Sequence, residues 1–484
     1  MIEKDTVSLF GLFFGLFILL VFAYVEPPKD LSYSAWLTAG VALLMTIWWI
    51  TEAIPIYFTG VIPLILFPTL NIYDLNLLAS SYAHPLVLLF LGGFIIASSI
   101  EACGLHKRIA LKILSISGTS ATNIIAGFML TTALISMWVS NTASTIMMLP
   151  IALSVITIFS KQEKIEGKDL AIPLLLAIAY SASIGGAATL IGTPTNVMLA
   201  GILSDNYNYE IDFQDWLMIG LPILFCLLPI IWFFLTQISF KVSKEKSNAL
   251  ENTLVQMRKE IGAISFTEKI VAFVFFLTAF SWIFRKTLNE IFNLNLNDTS
   301  IGLFGALILF LIPTGKSTRA CNWEIANKIP WGVLLLVGGG ISLSKAFSSS
   351  GLALWIGSFS SYFVNYEFYL LIIIAVGLII FLTELNSNTA TIATFAPILI
   401  IFALGINQNP LFLVIPSTIA ASCAFMLPIA TPPNAVIFGS GKIKMSDMIR
   451  AGFLLNIISI FVITIVSILL IKYIFGFDVN NFSL

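Results

Sequence analysis

The tripeptide Ser-Asn-Thr occurs twice in this chain, at 140–142 and at 387–389, each time inside apolar sequence. A second polar group follows each copy, at 192–196 after the first and at 430–434 after the second. At a break in a helix, serine and asparagine offer neutral oxygens to a small cation, and freed backbone carbonyls can complete its shell. Helix N-termini at such breaks present N–H groups to an anion. The paired groups therefore predict a site for a cation together with an anion.

The alternative for these motifs is ordinary turn and capping chemistry, which explains most single Ser-Asn-Thr sequences. Two copies in the same order, each followed by a Pro-Asn group, are much harder to explain in that way. A polar cluster that recurs in both halves of a membrane protein is typical of a transporter binding site.

The composition predicts an all-α polytopic membrane protein. Of the 484 residues, 58% are hydrophobic and 10% are charged, and the mean hydropathy is +0.99. Apolar runs long enough to span a bilayer recur along the whole chain. The formal net charge of −1 lacks the excess of basic residues that is typical of nucleic-acid-binding proteins. The four cysteines show neither metal-ligand spacing nor a disulfide framework.

We expect about eleven transmembrane helices and two re-entrant hairpins. The spans are predicted at about 8–25, 34–52, 55–71, 85–103, 169–202, 216–239, 265–284, 299–314, 330–347, 410–438 and 450–474. The apolar stretches 121–160 and 366–404 are too long for single spans and carry Ser-Asn-Thr near their middle. Each is predicted to enter the membrane, turn at the motif and leave on the same side.

Basic residues support an inverted repeat with the N-terminus in the cytoplasm and the C-terminus outside. They concentrate at 106–112, 161–168, 241–259, 316–328 and 442–450, which all fall on the inner side in this topology. The outer segments hold few bases, among them Lys29, Arg285 and Lys286. This distribution requires that the first hairpin opens inward and the second outward.

Glu384 is the acid that the sequence places most deeply in a predicted membrane segment, and the aspartates all lie in loops or at the ends of predicted spans. Two interpretations remain open for Glu384. It is either an ionisable group that takes part in transport or a brace for a broken helix.

At these residues the chain resembles the divalent anion:sodium symporter family, which includes bacterial dicarboxylate carriers and mammalian dicarboxylate, citrate and sulfate carriers. The segment 422–430, followed by 434–437, resembles the family signature, with Ile437 where valine is usual. The resemblance covers nearly the whole chain. It implies a homodimer in which each protomer has a fixed scaffold and a mobile, elevator-type transport part.

The resemblance also implies the binding residues. The first sodium site falls on Ser136, Ser140, Asn141 and Gly192, and the second on Thr383, Asn386, Asn388 and Ala430. The substrate carboxylates fall on Asn141, Thr142, Asn388 and Thr389, with Thr431 and Pro432 nearby. Asn386 stands where relatives often have a small residue or threonine, at a position thought to supply a backbone carbonyl.

Five segments follow from the spans and the resemblance. They are scaffold 1–117, transport part 118–240 with the first hairpin, an amphipathic cytoplasmic linker at 241–263, scaffold 264–363 and transport part 364–484 with the second hairpin.

We therefore expect sodium-coupled symport of a C4-type dicarboxylate, such as succinate, malate or fumarate, across the cytoplasmic membrane. Sulfate or tricarboxylate transport and sodium-independent exchange remain alternatives. Exchange is disfavoured because no Lys or Arg lies within either motif cluster. A membrane enzyme is disfavoured because the sequence shows no metal cluster and no nucleophile–base set.

Overall fold

The computed structural model describes residues 2–162, 168–242, 248–315 and 319–476. Within these ranges the regular structure is helical, apart from one isolated β-bridge. Ten helices of the described residues are long and apolar enough to cross a membrane. Large apolar side chains such as Phe13 and Phe276, each 66% exposed, cover the outer surface of these helices. A surface of this kind requires lipid around it, so the chain is a multi-pass membrane protein.

The first half of the chain contributes helices α1 to α12. Their bounds are α1 Ile2–Tyr24, α2 Tyr33–Thr51, α3 Ile56–Thr59, α4 Ile62–Thr69, α5 Leu75–Tyr82, α6 Pro85–Cys103, α7 Leu105–Ser117, α8 Ala121–Ser136, α9 Asn141–Gln162, α10 Lys168–Ala187, α11 Pro194–Tyr207 and α12 Phe213–Phe233. A π-helical turn, Phe234–Ser239, extends α12.

The second half contributes helices α13 to α24. Their bounds are α13 Asn248–Ile261, α14 Phe266–Ile283, α15 Arg285–Phe292, α16 Asp298–Leu311, α17 Trp323–Ala326, α18 Trp331–Ser350, α19 Leu352–Ser358, α20 Phe368–Thr383, α21 Asn388–Gly405, α22 Leu411–Ala420, α23 Pro432–Phe438 and α24 Met445–Phe475. A 3₁₀ turn, Phe359–Phe363, follows α19.

The predicted span 55–71 was wrong as a single helix. The structure divides it into α3 and α4, with the break at Gly60 and Val61. Pro63, in the first turn of α4, has no N–H to donate to the carbonyl of Thr59, and its ring would clash there. The hydroxyl of Tyr82 donates to the carbonyl of Gly60, at the break itself, at 2.6 Å.

Both long apolar stretches are pairs of helices with a short turn at the Ser-Asn-Thr motif. α8 and α9 flank residues 137–140, and α20 and α21 flank residues 384–387. The hydroxyl of Ser140 accepts the N–H of Ala143 at 3.2 Å, and the hydroxyl of Ser387 accepts that of Ala390 at 3.2 Å. Each motif serine thus starts the helix that follows it.

The predicted spans 169–202 and 410–438 are both interrupted. Residues 188–193 separate α10 from α11, and residues 421–431 separate α22 from α23. Proline begins the helix after each break, at Pro194 and Pro432, where its missing N–H costs no hydrogen bond. The sequence placed these breaks at Gly192 and Ala430, and the structure confirms both.

Small residues allow the helices near the breaks to pack closely. A Cβ added at Gly92 of α6 would lie 2.7 Å from the carbonyl carbon of Gly302 in α16, so no larger residue fits there. Close contacts between glycines are typical of packed membrane helices.

Candidate functional site

In the first half, three oxygens from separate segments meet at the end of α8. The hydroxyl of Ser136 lies 2.7 Å from Oδ1 of Asn141 and 2.7 Å from the carbonyl oxygen of Ala182 in α10. Ser136 is fully buried. The break between α8 and α9 therefore places a side-chain amide, a hydroxyl and a backbone carbonyl around one point.

The second half repeats this arrangement at the end of α20. The hydroxyl of Thr383 lies 2.7 Å from Oδ1 of Asn388 and 3.1 Å from the carbonyl oxygen of Ala421, at the start of the break after α22. Thr383 is also fully buried. We call Ser136, Asn141 and Ala182 the first oxygen triad, and Thr383, Asn388 and Ala421 the second.

Each triad has more oxygen acceptors than hydrogens. A hydroxyl carries one hydrogen, so Ser136 can donate to the amide oxygen or to the carbonyl but not to both at once. The same holds for Thr383. A small monovalent cation favours such a set of neutral oxygens because it can approach all of them together.

An asparagine side chain holds each helix break together. Nδ2 of Asn196 donates to the carbonyls of Thr189 at 2.8 Å and Ala187 at 3.2 Å. Nδ2 of Asn434 donates to those of Ala424 and Leu427, both at 3.0 Å. Both asparagines are fully buried. They satisfy carbonyls that would otherwise be left unpaired at membrane depth.

Glycines bring the first break into contact with the Ser-Asn-Thr motif. A Cβ at Gly186 would overlap the side-chain amide of Asn141, and a Cβ at Gly192 would overlap the carbonyl oxygen of Gly186. Gly186 therefore contacts both Asn141 and Gly192. Of the residues predicted for the first sodium site, Ser136 and Asn141 touch directly, and Gly192 lies next to them across Gly186.

The other predicted residues lie around the two motifs. Ser140 is used as a helix cap, and the hydroxyl of Thr431 accepts the N–H of Asn434 at 3.2 Å. Oδ1 of Asn386 accepts the N–H of Ser387 at 2.8 Å. Its side chain is thus engaged locally, in keeping with a contribution through the Asn386 backbone. The structure gives the remaining positions as follows: Thr142 half-buried, Thr389 buried, Ala430 buried and Pro432 exposed.

Glu384 braces the second break. Its carboxylate accepts the backbone N–H groups of Met426 and Leu427, both at 2.9 Å, and the amide of Asn456 at 2.7 Å. The carboxylate is buried, with a residue exposure of 3%. Of the two interpretations that the sequence left open, these contacts favour the brace.

A tyrosine joins the two halves. The hydroxyl of Tyr180 in α10 donates to the carbonyl of Phe425, in the second break, at 2.8 Å, and the two rings lie 4.6 Å apart. α23 packs against both α9 and α10. The two half-sites therefore belong to one packed body.

Sequence reasoning missed the residues that act through the backbone or across the two halves. Ala182 and Ala421 contribute carbonyl oxygens from apolar segments, where no side chain signals a site. Tyr180 has no counterpart in the repeated motifs. Asn456 was detectable as a buried amide in an otherwise apolar span.

The arrangement suits binding without chemical conversion. The N-termini of α9 and α21 begin at Asn141 and Asn388, so each half offers N–H groups and an amide to an anion. In the described parts of the chain, no group of three His, Cys, Asp or Glu side chains could hold a multivalent metal ion.

The chain matches the family described as the sodium:sulfate symporter transmembrane region over residues 6–476. It is 38% identical to the sodium-dependent dicarboxylate transporter SdcS of Staphylococcus saprophyticus, over 98% of this chain and 93% of that protein. It is 37% identical to SdcS of Staphylococcus aureus strain USA300, with the same coverage of both chains.

Two solved structures share the fold. MtrF of Neisseria gonorrhoeae, from a class of antimetabolite efflux pumps, superposes with a TM-score of 0.57 at 14% identity, over 96% of this chain and 94% of MtrF. The YdaH transporter of Alcanivorax borkumensis superposes with a TM-score of 0.51 at 11% identity, over 97% and 99%. At these identities the likeness concerns the fold alone.

Proposed function

The chain belongs to the divalent anion:sodium symporter family, and from that premise we propose that it carries out sodium-coupled symport of a C4-type dicarboxylate. The protein is a transporter and not an enzyme, and sodium is its co-transported ion. The relatives named sodium-dependent dicarboxylate transporters cover nearly all of this chain, which supports this substrate class. Succinate, malate and fumarate are the substrates to test first.

The observation that carries the proposal is the pair of matched oxygen triads. Each triad lies beside the N-terminus of a helix, so each half can take one sodium ion and one carboxylate group. A C4 dicarboxylate has two carboxylates and would meet one amide from each half, Asn141 and Asn388. Bound sodium lowers the cost of burying the dianion because it places positive charge beside each carboxylate.

The proposed ligands are those that the resemblance implies. Sodium site 1 comprises Ser136, Ser140, Asn141 and Gly192, and sodium site 2 comprises Thr383, Asn386, Asn388 and Ala430. The substrate site comprises Asn141, Thr142, Asn388, Thr389, Thr431 and Pro432. Ala182 and Ala421 are added here as carbonyl neighbours of sites 1 and 2.

The proposed architecture has eleven spans and two re-entrant hairpins in an inverted repeat. The moving unit comprises 118–240 and 364–484, and the fixed unit comprises 1–117 and 264–363. The linker 241–263 contains α13, although residues 243–247 lie outside the described residues. The moving unit slides as an elevator against the fixed unit. The tie between Tyr180 and Phe425 supports one rigid moving unit, because both halves of the site would travel together.

The protein is proposed to act in the cytoplasmic membrane as a homodimer, with the N-terminus inside and the C-terminus outside. The C-terminal residues 477–484 lie outside the described residues. The bases near the ends of the spans support this orientation.

The decisive experiment is uptake by purified protein in proteoliposomes. Labelled succinate, malate, fumarate, citrate and sulfate are each presented with an inward sodium gradient, with an equal potassium gradient, and with unlabelled substrate inside. We expect concentrative uptake of a C4 dicarboxylate only with sodium outside.

Each other outcome selects a different function. Sodium-driven uptake of sulfate or citrate alone would replace the substrate class. Uptake that needs internal substrate but no sodium would establish exchange and overturn the coupling. The double variant Asn141→Ala/Asn388→Ala serves as the inactive control for leakage.

A further inference from the structure

A histidine and a lysine hold Asp205, near the C-terminal end of α11. Nζ of Lys345 in α18 lies 2.8 Å from Oδ2 of Asp205, and Nε2 of His84 lies 3.3 Å from Oδ1. Nδ1 of His84 accepts the backbone N–H of Leu86, so its Nε2 carries the hydrogen that faces the carboxylate. All three side chains are at most 17% exposed.

A second ionic cluster lies at the start of α12. Oδ2 of Asp212 lies 2.8 Å from Arg285 and 3.0 Å from Lys286, and Asp215 lies 3.1 Å from Lys286. Arg285 also contacts Asp298 at 3.2 Å, and Asp298 accepts the backbone N–H of Phe213 at 2.8 Å. Five charged groups and one backbone amide thus join α12 to α15 and α16.

In both clusters, acids of the proposed moving unit pair with bases of the proposed fixed unit, while Asp298, which also contacts Arg285, is an acid of the fixed unit. Residues 194–239 of the proposed moving unit contain the acids Asp205, Glu210, Asp212 and Asp215 but no Lys, Arg or His. The bases that pair with Asp205, Asp212 and Asp215 are His84, Lys345, Arg285 and Lys286, which all lie in the proposed fixed unit. Acids on one side of a boundary and bases on the other give an attractive contact between the two bodies.

We propose that Asp205 and Asp212 are positioning residues of the transport cycle: their pairs with His84, Lys345 and Arg285 form an ionic clasp that holds the moving unit in the conformation seen here. This inference rests on the proposed two-unit mechanism. In the proposed orientation, both clusters lie on the outer side of the membrane, where α6 begins and α11 and α18 end. The clasp must open each time the moving unit travels to its other position.

The distances explain why the clasp would respond to sliding. The charge pairs at 2.8 Å and the hydrogen bond from His84 at 3.3 Å lose most of their attraction when the partners separate by several ångströms. Because Asp205 and Asp212 are largely buried, water does little to screen them where they now lie. The clasp therefore favours the present conformation over any in which the acids leave the bases behind.

The carboxylates are ionised at neutral pH. Burial raises the pKa of Asp205, but the hydrogen bonds from His84 and Lys345 outweigh it and hold the pKa below its ordinary value. Burial also raises the pKa of Asp212, and the N–H of Asp215 with the charges of Lys286 and Arg285 brings it below the ordinary value. A depressed carboxylate pKa means that the pairs persist at neutral pH and are lost only as the pH falls through the lowered pKa.

The test is a double-mutant cycle across the boundary, read by conformation. Gly93 of α6 and Ile191 of the first break touch in this structure, since a Cβ at Gly93 would lie 3.3 Å from the Ile191 side chain. Cysteines at these two positions, in a protein without its four native cysteines, report the present conformation through their rate of mercury crosslinking in sodium-loaded proteoliposomes. The variants Asp205→Asn, Lys345→Met and the double variant are then compared in this background.

We expect each single variant to slow crosslinking about tenfold, and the double variant to slow it no further, because either change removes the same pair. Asp205→Glu, which keeps the charge, should restore most of the rate. Asp212→Asn should give a separate reduction that adds to that of Asp205→Asn. Unchanged rates in both aspartate variants, or fully additive effects of Asp205→Asn and Lys345→Met, would overturn the clasp.

The matched control is the ion pair between Arg108 of α7 and Glu268 of α14, at 2.8 Å. Both partners lie in the proposed fixed unit, so Glu268→Gln should lower thermal stability without changing the crosslinking rate. If it slows crosslinking as much as Asp205→Asn does, the effect is general loosening and the clasp is wrong. If the Asp205→Asn protein does not fold, Lys345→Met and Asp212→Asn decide the question.

Uptake separates this inference from the proposed function. If the protein takes up dicarboxylate with sodium but the clasp variants do not change the crosslinking rate, the clasp alone is overturned. Clasp-dependent crosslinking in a protein without such uptake would overturn the proposed substrate and leave the clasp standing.

Discussion

The two half-sites hold the same oxygen triad by different means. In the first, Met137 follows Ser136, and its carbonyl accepts the hydroxyl of Thr189 at 2.5 Å. In the second, the equivalent position after Thr383 is Glu384, whose carboxylate accepts two backbone N–H groups and one amide. The first half-site relies on hydroxyl and backbone contacts, whereas the second contains a buried carboxyl group.

The backbones of the two helix breaks are also held by different contacts. In the first break, the N–H of Ala188 pairs locally with the carbonyl of Gly185 at 3.1 Å, and Gly186 and Gly192 leave no room for a side chain. In the second break, alanines stand at 424 and 430, and the longer segment turns two of its N–H groups toward Glu384. Close packing fixes one loop and a carboxylate fixes the other. The same oxygen triad is therefore held by two different kinds of contact.

Removing the carboxylate should have the largest effect. Glu384→Ala leaves the N–H groups of Met426 and Leu427 and the Asn456 amide without their acceptor, and we expect it to lower the free energy of unfolding by about 3–5 kcal/mol. Thermal unfolding of the detergent-solubilised protein measures this. Met137→Leu, at the equivalent position, should cost less than about 1.5 kcal/mol. Equal melting temperatures for Glu384→Ala and the unmodified protein would show that the two halves are braced alike.

Replacing the motif asparagine should weaken substrate binding equally in both halves. Asn141→Ala and Asn388→Ala each remove an amide donor and an oxygen beside the triad. Each should weaken apparent dicarboxylate affinity by roughly 10- to 150-fold, as expected for a lost hydrogen bond of about 1.5–3 kcal/mol to a charged group. Substrate-concentration curves in proteoliposomes give the two values. Near-normal affinity in one variant would confine the carboxylate contacts to the other half.

A methyl group should be harmful in the first half only. Gly192→Ala places a Cβ against the carbonyl of Gly186, and we expect a cost of about 1–3 kcal/mol, seen as a rise of about 5- to 150-fold in the sodium concentration for half-maximal uptake. The reciprocal change, Ala430→Gly, adds only flexibility and should cost about 0.5–1 kcal/mol. The comparison fails if Ala430→Gly is the more damaging of the two.

The hydroxyls should give the smallest effects. Ser136→Ala and Thr383→Ala each remove one oxygen of a triad and should raise the sodium requirement by roughly 2- to 10-fold, as for a hydrogen bond of about 0.5–1.5 kcal/mol. Saturating sodium should then partly restore substrate affinity, because coupled binding is reciprocal. Thr383→Ser keeps the hydroxyl and provides the control. A loss of substrate affinity that no sodium concentration restores would place these hydroxyls on the substrate instead.

The repeated motifs predicted the parts of the site that side chains define. Asn141 and Asn388 stood out because they belong to the repeated motif, and polar residues are rare and costly in apolar segments. Ser136 and Thr383 were implied by the family resemblance. The carbonyls of Ala182 and Ala421 were not predicted, since every residue has a carbonyl and only the folded chain shows which one is freed. The pairing of Asp205 with Lys345 was equally hidden, because it joins residues far apart in sequence that only helix packing brings together.

The fold was predictable where hydrophobic runs were long and uninterrupted, as in α6, whose predicted and observed bounds agree. The fold was less predictable where a residue such as proline interrupts a helix within an apolar run. Pro63 divides a run that is apolar throughout, and hydropathy alone does not register a proline.

The bond from Tyr180 to Phe425 has a consequence for biosynthesis. Its partners are 245 residues apart, so at about 5–20 residues per second the ribosome needs roughly 12–50 s to supply the acceptor after the donor. During that interval the first half, already in the membrane, holds a tyrosine hydroxyl that lacks its final acceptor. The first half therefore completes its packing against the second break only after most of the chain has been synthesised.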